Sequence, residues 1–325
     1  MKKKSFVDWL KDNTAIVGLV IVLLVGSLIN FKSFFSFTNF MNVGRQATIR
    51  GLLACGMTLV IISGSIDLSV STNFAMCGFL TLYFGQYSTV LGFVVPLLAG
   101  ALVGAIITVM TVRWRFPAWV ATIAMQFFLQ GALLQLTQGN TFKPAETNEA
   151  LYAFGNFKSG VLNTYVIAFV AVFVLFALLM KHRSAFRNIY AVGGNIEAAR
   201  MMGISVFKTR LLVHVICGVL TALAGILLAT RTNAAYPLAG SGYEMYAIAA
   251  SVLGGIYLSG GRGKVLGTFV GAWILGFLNN IFNMQSTVNA LWEQIITGSV
   301  IILVVVVQSM NSNSLISFKR KRAKA

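Results

Sequence analysis

TVLGFVVPLLAGALVGAIITVMTV, residues 89–112, runs without a charged side chain until Arg113 and Arg115 close it. As a helix rising 1.5 Å per residue it is about 36 Å long, enough to cross a hydrocarbon core of roughly 30 Å. A barrel strand would instead alternate apolar and polar residues over about ten positions. Similar runs recur at 14–31, 47–63, 69–86, 117–137, 163–180, 210–229, 244–258, 265–284 and 291–309. The chain therefore reads as an all-α integral membrane protein of about ten transmembrane helices, one transmembrane domain over 1–325. Runs 47–63 and 69–86 are separated only by GSIDLS, and 244–258 is short. The first run, 14–31, exceeds a usual secretory signal core and has no clean small-x-small site after it, so it is expected to remain as an uncleaved span.

Composition agrees with lipid as the main solvent. Hydrophobic residues make up 57% and charged residues only 10%, against about 25% charged in a soluble domain. The net charge of +17 does not point to nucleic acid, because the basic residues sit in short loops rather than on one polar face. Cys55, Cys77 and Cys217 lie within apolar runs at unrelated spacings, and His182 and His214 are the only histidines. No metal site, catalytic residue or phosphate-cradling motif is expected, and no cofactor is assigned to this chain.

Orientation follows from Lys and Arg, which collect on the cytoplasmic side of bacterial membranes. With ten spans, one side receives 19 of the 25 basic residues and the other six: Lys32, Arg45, Arg50, Lys143, Lys158 and Arg231. Both termini are thus expected in the cytoplasm, with a cytoplasmic loop at about 181–209 and a periplasmic loop at about 138–162. In the cytoplasmic loop, Gly193-Gly194-Asn195 reads as a turn. Ile196 to Met202 then reads as a two-turn helix capped by Asn195 and stopped by Gly203.

Charged groups at membrane depth cost roughly 2.5–3.5 kcal/mol on insertion scales. Asp67, within Gly64-Ser65-Ile66-Asp67-Leu68-Ser69, is the clearest such group and reads first as a bend stabiliser, second as a substrate contact. Glu244 and Glu293 open their spans, where a carboxylate favours the helix N-terminus. Candidate pathway residues are Asp67, Asn73, Gln126, Gln130, Asn279, Asn280 and Asn283. Gln126 and Gln130, like Asn279 and Asn283, are four apart and share a helix face. Amides donate and accept hydrogen bonds, which suits an uncharged polyhydroxylated solute, although the same residues serve equally as interhelical glue. No basic residue is expected deep in a span, which favours a neutral solute. The pairs Gly100/Gly104 and Gly267/Gly271 are expected to let helix backbones approach closely.

Several strings together resemble a known family: GMTLVIISGSIDLSVS (56–71), FPAWVATIAM (116–125), AVGGNIEAARMMGI (191–204), GSGYEMYAIAASVLGGIYLSGGRGKVLGT (240–268) and GAWILGFLNNIFN (271–283). The chain resembles the membrane permease subunit of bacterial ATP-binding-cassette importers of the ribose and monosaccharide type. The resemblance implies two permease subunits, a homodimer or a pair of paralogues, around one pathway in the bacterial inner membrane. It also implies a cytoplasmic ABC ATPase partner that binds ATP and Mg, and a periplasmic solute-binding protein. Gly194, Asn195, Glu197, Ala198, Ala199, Arg200 and Gly203 match the segment that couples to the ATPase in that family. Ser71, Tyr246 and Tyr257 depart from its usual residues, and the two aromatics imply a reshaped path. Rival readings are a permease for a furanone signal, nucleoside or branched-chain amino acid, an ion-coupled transporter, and a membrane-embedded enzyme. The last would need a clustered nucleophile, base or metal set, and none is visible.

Overall fold

The computed structural model describes residues 14–159 and 162–284, together with 292, 295, 298, 299, 302 and 306. Most of the expected span 291–309, Glu293 and both chain ends lie outside the described residues. The helices are α1 (Thr14–Phe34), α2 (Phe37–Ile62), α3 (Val70–Gly85), α4 (Thr89–Thr108), α5 (Ala118–Thr137), α6 (Glu149–Asn156), α7 (Thr164–His182), α8 (Ser184–Gly194), α9 (Ile196–Met201), α10 (Val206–Thr232), α11 (Tyr243–Leu253) and α12 (Val265–Met284). α4 continues as one π turn, Val109–Arg113. A two-residue antiparallel hairpin, β1 (Lys158–Ser159) with β2 (Leu162–Asn163), precedes α7.

Six of these helices are long and apolar enough to cross a membrane, among the described residues. They are α2, α4 with its π turn, α5, α7, α10 and α12. Their burial is graded. The apolar window of α2 is 83% buried, that of α5 only 28%, so α2 is an inner helix and α5 a peripheral one. On the peripheral helices the large apolar side chains face outward: Leu98 and Leu102 on α4, Phe127 and Phe128 on α5, Leu175 and Leu178 on α7. In water such an arrangement would aggregate; it fits a protein whose solvent is hydrocarbon.

Three elements differ from the sequence expectation, each for a local reason. α2 begins at Phe37, ten residues before the apolar run, because Ser36 caps it by accepting from the Asn39 N–H at 3.2 Å. α11 ends at Leu253, where Gly254 and Gly255 follow and Gly255 takes φ +84. In the 181–209 loop, Gly193 and Gly194 are the last residues of α8 rather than a turn. Phe186, Ile189 and Val192 form the buried stripe of that helix. α9 is as expected, with Asn195 accepting from the Ala198 N–H at 3.0 Å.

α10 is the hub, packed against α2, α3 and α4, while α12 packs on α1, α2 and α11. These contacts are made backbone to backbone. A Cβ on Gly218 would overlap the carbonyl oxygen of Gly100, and one on Gly104 the carbonyl oxygen of His214. Gly267 and Gly271 stand in the same way against Gly254 and Ala250, so both sequence pairs serve packing within the chain. Small residues matter here because lipid tails give helices no hydrophobic reason to associate, leaving close van der Waals contact and hydrogen bonds. One such bond cluster joins α2, α11 and α12: the Thr58 hydroxyl lies 3.0 Å from that of Ser251 and 2.6 Å from that of Thr268.

Gly218→Val is expected to cost about 3 kcal/mol or more by overpacking. It should lower both membrane abundance and the melting temperature of the detergent-purified protein. Gly131→Ala on α5, where a Cβ meets nothing within 4 Å, should melt as the wild type does. Equal melting of the two variants would show that α10 does not depend on this contact.

Candidate functional site

α9 is a six-residue helix fixed at both ends. Asn195 caps its start. At its end Gly203, at φ +78, donates to the Arg200 carbonyl at 2.9 Å, and Ile204 donates to that of Ala199 at 3.0 Å. This pair of bonds is the Schellman closure, which needs a left-handed residue where Gly203 stands. The inner face of α9 is held by Ala199, packed with Val192 of α8 and Val206 of α10. Its outer face is open. Glu197 and Arg200 form an exposed ion pair at 3.0 Å, and Met201 and Met202 are 91% and 67% exposed. Two exposed methionines on a short helix form an adaptable apolar surface, a feature that residue pattern alone did not single out.

Behind α9, α8 is keyed into two turns of the bundle. Gly193 sits so close to Ile62 and Gly261 that a Cβ there would overlap both. The Gly261 N–H donates to the Ile62 carbonyl at 2.8 Å, and Tyr190 Oη donates to the Gly263 carbonyl at 3.0 Å. Burial pushes the Tyr190 phenol above its ordinary value, so it remains a donor. Arg210 of α10 donates to the Gly64 carbonyl at 3.3 Å. α8, together with Arg210 of α10, therefore grips the turn between α2 and α3, and α8 alone the turn between α11 and α12.

Asp67 lies in the first of these turns and is 3% exposed. Its Oδ1 accepts from the Ser69 N–H at 3.0 Å and from the Ser69 hydroxyl at 2.7 Å, which fixes the start of α3. Oδ2 faces Nδ1 of the fully buried His214 at 3.8 Å. Neither ring nitrogen of His214 has a hydrogen-bond partner among the described residues. This pairing leaves no mark in the residue pattern, because the two residues are far apart in the chain and share no motif.

The amide residues separate into two groups. Asn73 is 2% exposed and accepts from Cys77 Sγ at 3.4 Å. Asn279 and Asn280 are also buried, and Asn280 exchanges two amide bonds with Asn39 of α2, at 2.9 and 2.7 Å. Gln126 and Gln130 are half-buried on α5, with Gln130 donating to the Pro237 carbonyl at 3.4 Å, and Asn283 is exposed. α5 packs on α3 and α4, and α12 on α1, α2, α7 and α11, so the two amide stripes sit on different parts of the bundle.

The expectation of no basic residue within a span is corrected by Arg50. It stands midway along α2, half-buried, with its guanidinium 5.1 Å from the Tyr243 ring centre and 4.5 Å from that of Tyr246. Cation–π contact with two rings of α11 lowers the cost of a charge at that depth. Elsewhere, residues of the 138–162 loop tie helix ends together. Asn148 caps α6 and donates to the Gly85 carbonyl at 2.9 Å. Asn233, just after α10, donates to the Thr147 hydroxyl at 2.6 Å, and Phe142 forms a bridge with Ala235. No group of three His, Cys, Asp or Glu side chains able to hold a metal occurs among the described residues.

The family described as "Branched-chain amino acid transport system / permease component" matches residues 39–305. The ribose import permease protein RbsC of Escherichia coli (strain K12) is 36% identical over 306 residues, 93% of this chain and 94% of that protein. The protein of the same name from Bacillus subtilis (strain 168) is 36% identical over 305 residues, 91% of this chain and 92% of its own. The xylose transport system permease protein XylH of Haemophilus influenzae is 28% identical, covering 92% of this chain and 96% of that protein. No solved structure gives a significant match. A match across 39–305, together with relatives alike over nearly their whole length, means that this multi-pass chain belongs to the permease components of the branched-chain amino acid transport system type.

Proposed function

We propose that this chain is the transmembrane permease subunit of an ATP-binding-cassette importer that carries a monosaccharide or similar neutral solute across the bacterial inner membrane. Full-length similarity to proteins named as ribose and xylose permeases supports the solute class. The observation that carries the mechanism is the grip of α8, with Arg210 of α10, on two turns that this reading places in the cytoplasm. In this reading ten spans make one permease domain with both ends in the cytoplasm, and a second permease completes the pathway. Hydrolysis of ATP with Mg belongs to a separate ATPase, and capture to a periplasmic binding protein. Glu197, Arg200, Met201 and Met202 meet the ATPase, while Asn195 and Gly203 hold the shape that presents them, with Gly194, Ala198 and Ala199 completing the docking segment. Movement of the ATPase then displaces the Gly64 and Gly261 turns, and with them the inner ends of α2, α3, α11 and α12.

Within the bundle, Asp67, Asn73 and Asn280 act in this proposal as fixed struts beside the path, and Gln126, Gln130, Asn279 and Asn283 supply weakly polar contacts along it. A path should be weakly polar rather than sticky, since the solute must leave as easily as it enters.

Tags at both chain ends should be reachable only from the cytoplasm, and a tag within 140–158 only from outside. Opposite accessibility of the two ends would refute the ten-span arrangement. Gly203→Val places a β-branched residue at φ +78, at a cost of about 1–2 kcal/mol or more in the left-handed region. Transport by the reconstituted complex should fall at least about tenfold, with normal permease abundance and unchanged solute affinity of the binding protein. Full transport would count against the docking role. Gln126→Leu should lower the uptake rate severalfold while basal ATP hydrolysis persists. If Gln126→Cys never reacts with small water-soluble thiol reagents in any nucleotide state, Gln126 packs helices and does not line the path.

A further inference from the structure

Beside α9 lies a cavity of about 300 Å³ that shares only Arg200 with the surface proposed to meet the ATPase. Three arginines, Arg115, Arg200 and Arg210, are among its lining residues, together with Val112, Ile196 and Val206. One carboxylate, Glu197, is engaged by Arg200 at 3.0 Å. Arg210 spends one nitrogen on the Gly64 carbonyl and keeps a buried Nε with no hydrogen-bond partner among the described residues. Like charges gathered in one cleft repel, and an oxyanion between them turns that repulsion into charge-assisted hydrogen bonds. The forked guanidinium matches a phosphate group with two parallel hydrogen bonds.

The depth of the cleft indicates where the phosphate comes from. Arg115 belongs to the turn that follows the π turn of α4. That turn is folded back by bonds from the Trp114 N–H to the Val109 carbonyl and from the Phe116 N–H to the Met110 carbonyl, both 3.0 Å. Arg115 itself is held at φ +61, which a non-glycine residue adopts only when its surroundings enforce it. Around it Trp114, Phe116 and Trp119 are 60%, 46% and 60% exposed. Exposed tryptophans at the end of a spanning helix mark the level of lipid headgroups. We infer that the Arg115–Arg200–Arg210 cleft binds the phosphate of an anionic glycerophospholipid of the inner leaflet, placing a lipid headgroup against the coupling helix α9. The inference rests on the cytoplasmic placement of α9, which the tag experiment tests independently of lipid.

The test uses the full-length permease purified with its ATPase in detergent. Native mass spectrometry follows retention of added phosphatidylglycerol against phosphatidylcholine, and a melting assay follows stability. A basic residue near an anionic headgroup contributes about fivefold in affinity. Wild type should therefore prefer phosphatidylglycerol, and Arg115→Gln and Arg210→Gln should each lower that preference about fivefold. Arg115→Gln is the decisive variant, because its side chain is exposed, whereas Arg210→Gln also removes the bond to Gly64. Arg115→Lys should keep part of the preference. An undiminished preference in Arg115→Gln overturns the site. Stabilisation by millimolar inorganic phosphate that phosphatidylglycerol does not compete away would assign the cleft to free phosphate and overturn the lipid. Loss of the ATPase from Arg115→Gln with lipid preference intact would make the cleft a protein contact, and overturns the inference equally.

Discussion

The packing of this protein depends on the approach of α10 to its neighbours at backbone distance. In water a helix pair gains by hiding apolar side chains, but in lipid that gain is absent. Gly100, Gly104, Gly218 and Gly225 remove the side chains that would keep the axes apart, so carbonyl oxygens lie where a Cβ would otherwise be. The inner helices can then be apolar without being loose, and the outer ones can turn Leu, Phe and Val toward the membrane. Such contacts forgive little. They hold helices by shape, and any added carbon meets backbone rather than a side chain able to turn aside.

Several polar groups inside this frame are paired with one another. The Thr58, Ser251 and Thr268 hydroxyls, the Asn39–Asn280 amides and the Asp67–Ser69 turn each satisfy one another across or within helices. Arg50 keeps its charge on the faces of two tyrosines. These devices explain how a chain with so few charged residues still carries charge inside the bundle.

What could be read from the sequence was what depends on neighbours in the chain. The apolar runs located α4, α5, α7 and α12 closely, and the Asn195 and Gly203 caps of α9 followed from residue type alone. The family, too, was legible from its strings of residues. The helix α8 was missed because its stripe of Phe186, Ile189 and Val192 is set among polar residues and ends in two glycines, which read as a turn. Partners across the fold left no local trace: nothing near Asp67 names His214, and nothing near Arg50 names Tyr243. Among the amides, sequence spacing grouped Asn279 with Asn283 on one face, but only packing separates the exposed Asn283 from the buried Asn279 and Asn280.

The 138–162 loop bears on how the two ends of the bundle are connected. Asn148 is bound to the last turn of α3, while Thr147 and Phe142 are bound to the residues that follow α10. The opposite ends of the same two helices meet the Gly64 turn, through the Asp67 bend and through Arg210. α10 crosses the bundle as one helix of 27 residues with no proline in it. Residues 142–148 are thus tied to one end of both helices, while the other ends lie beside the turns that α8 contacts. The two ends of the bundle are joined through α3 and α10 within a single chain.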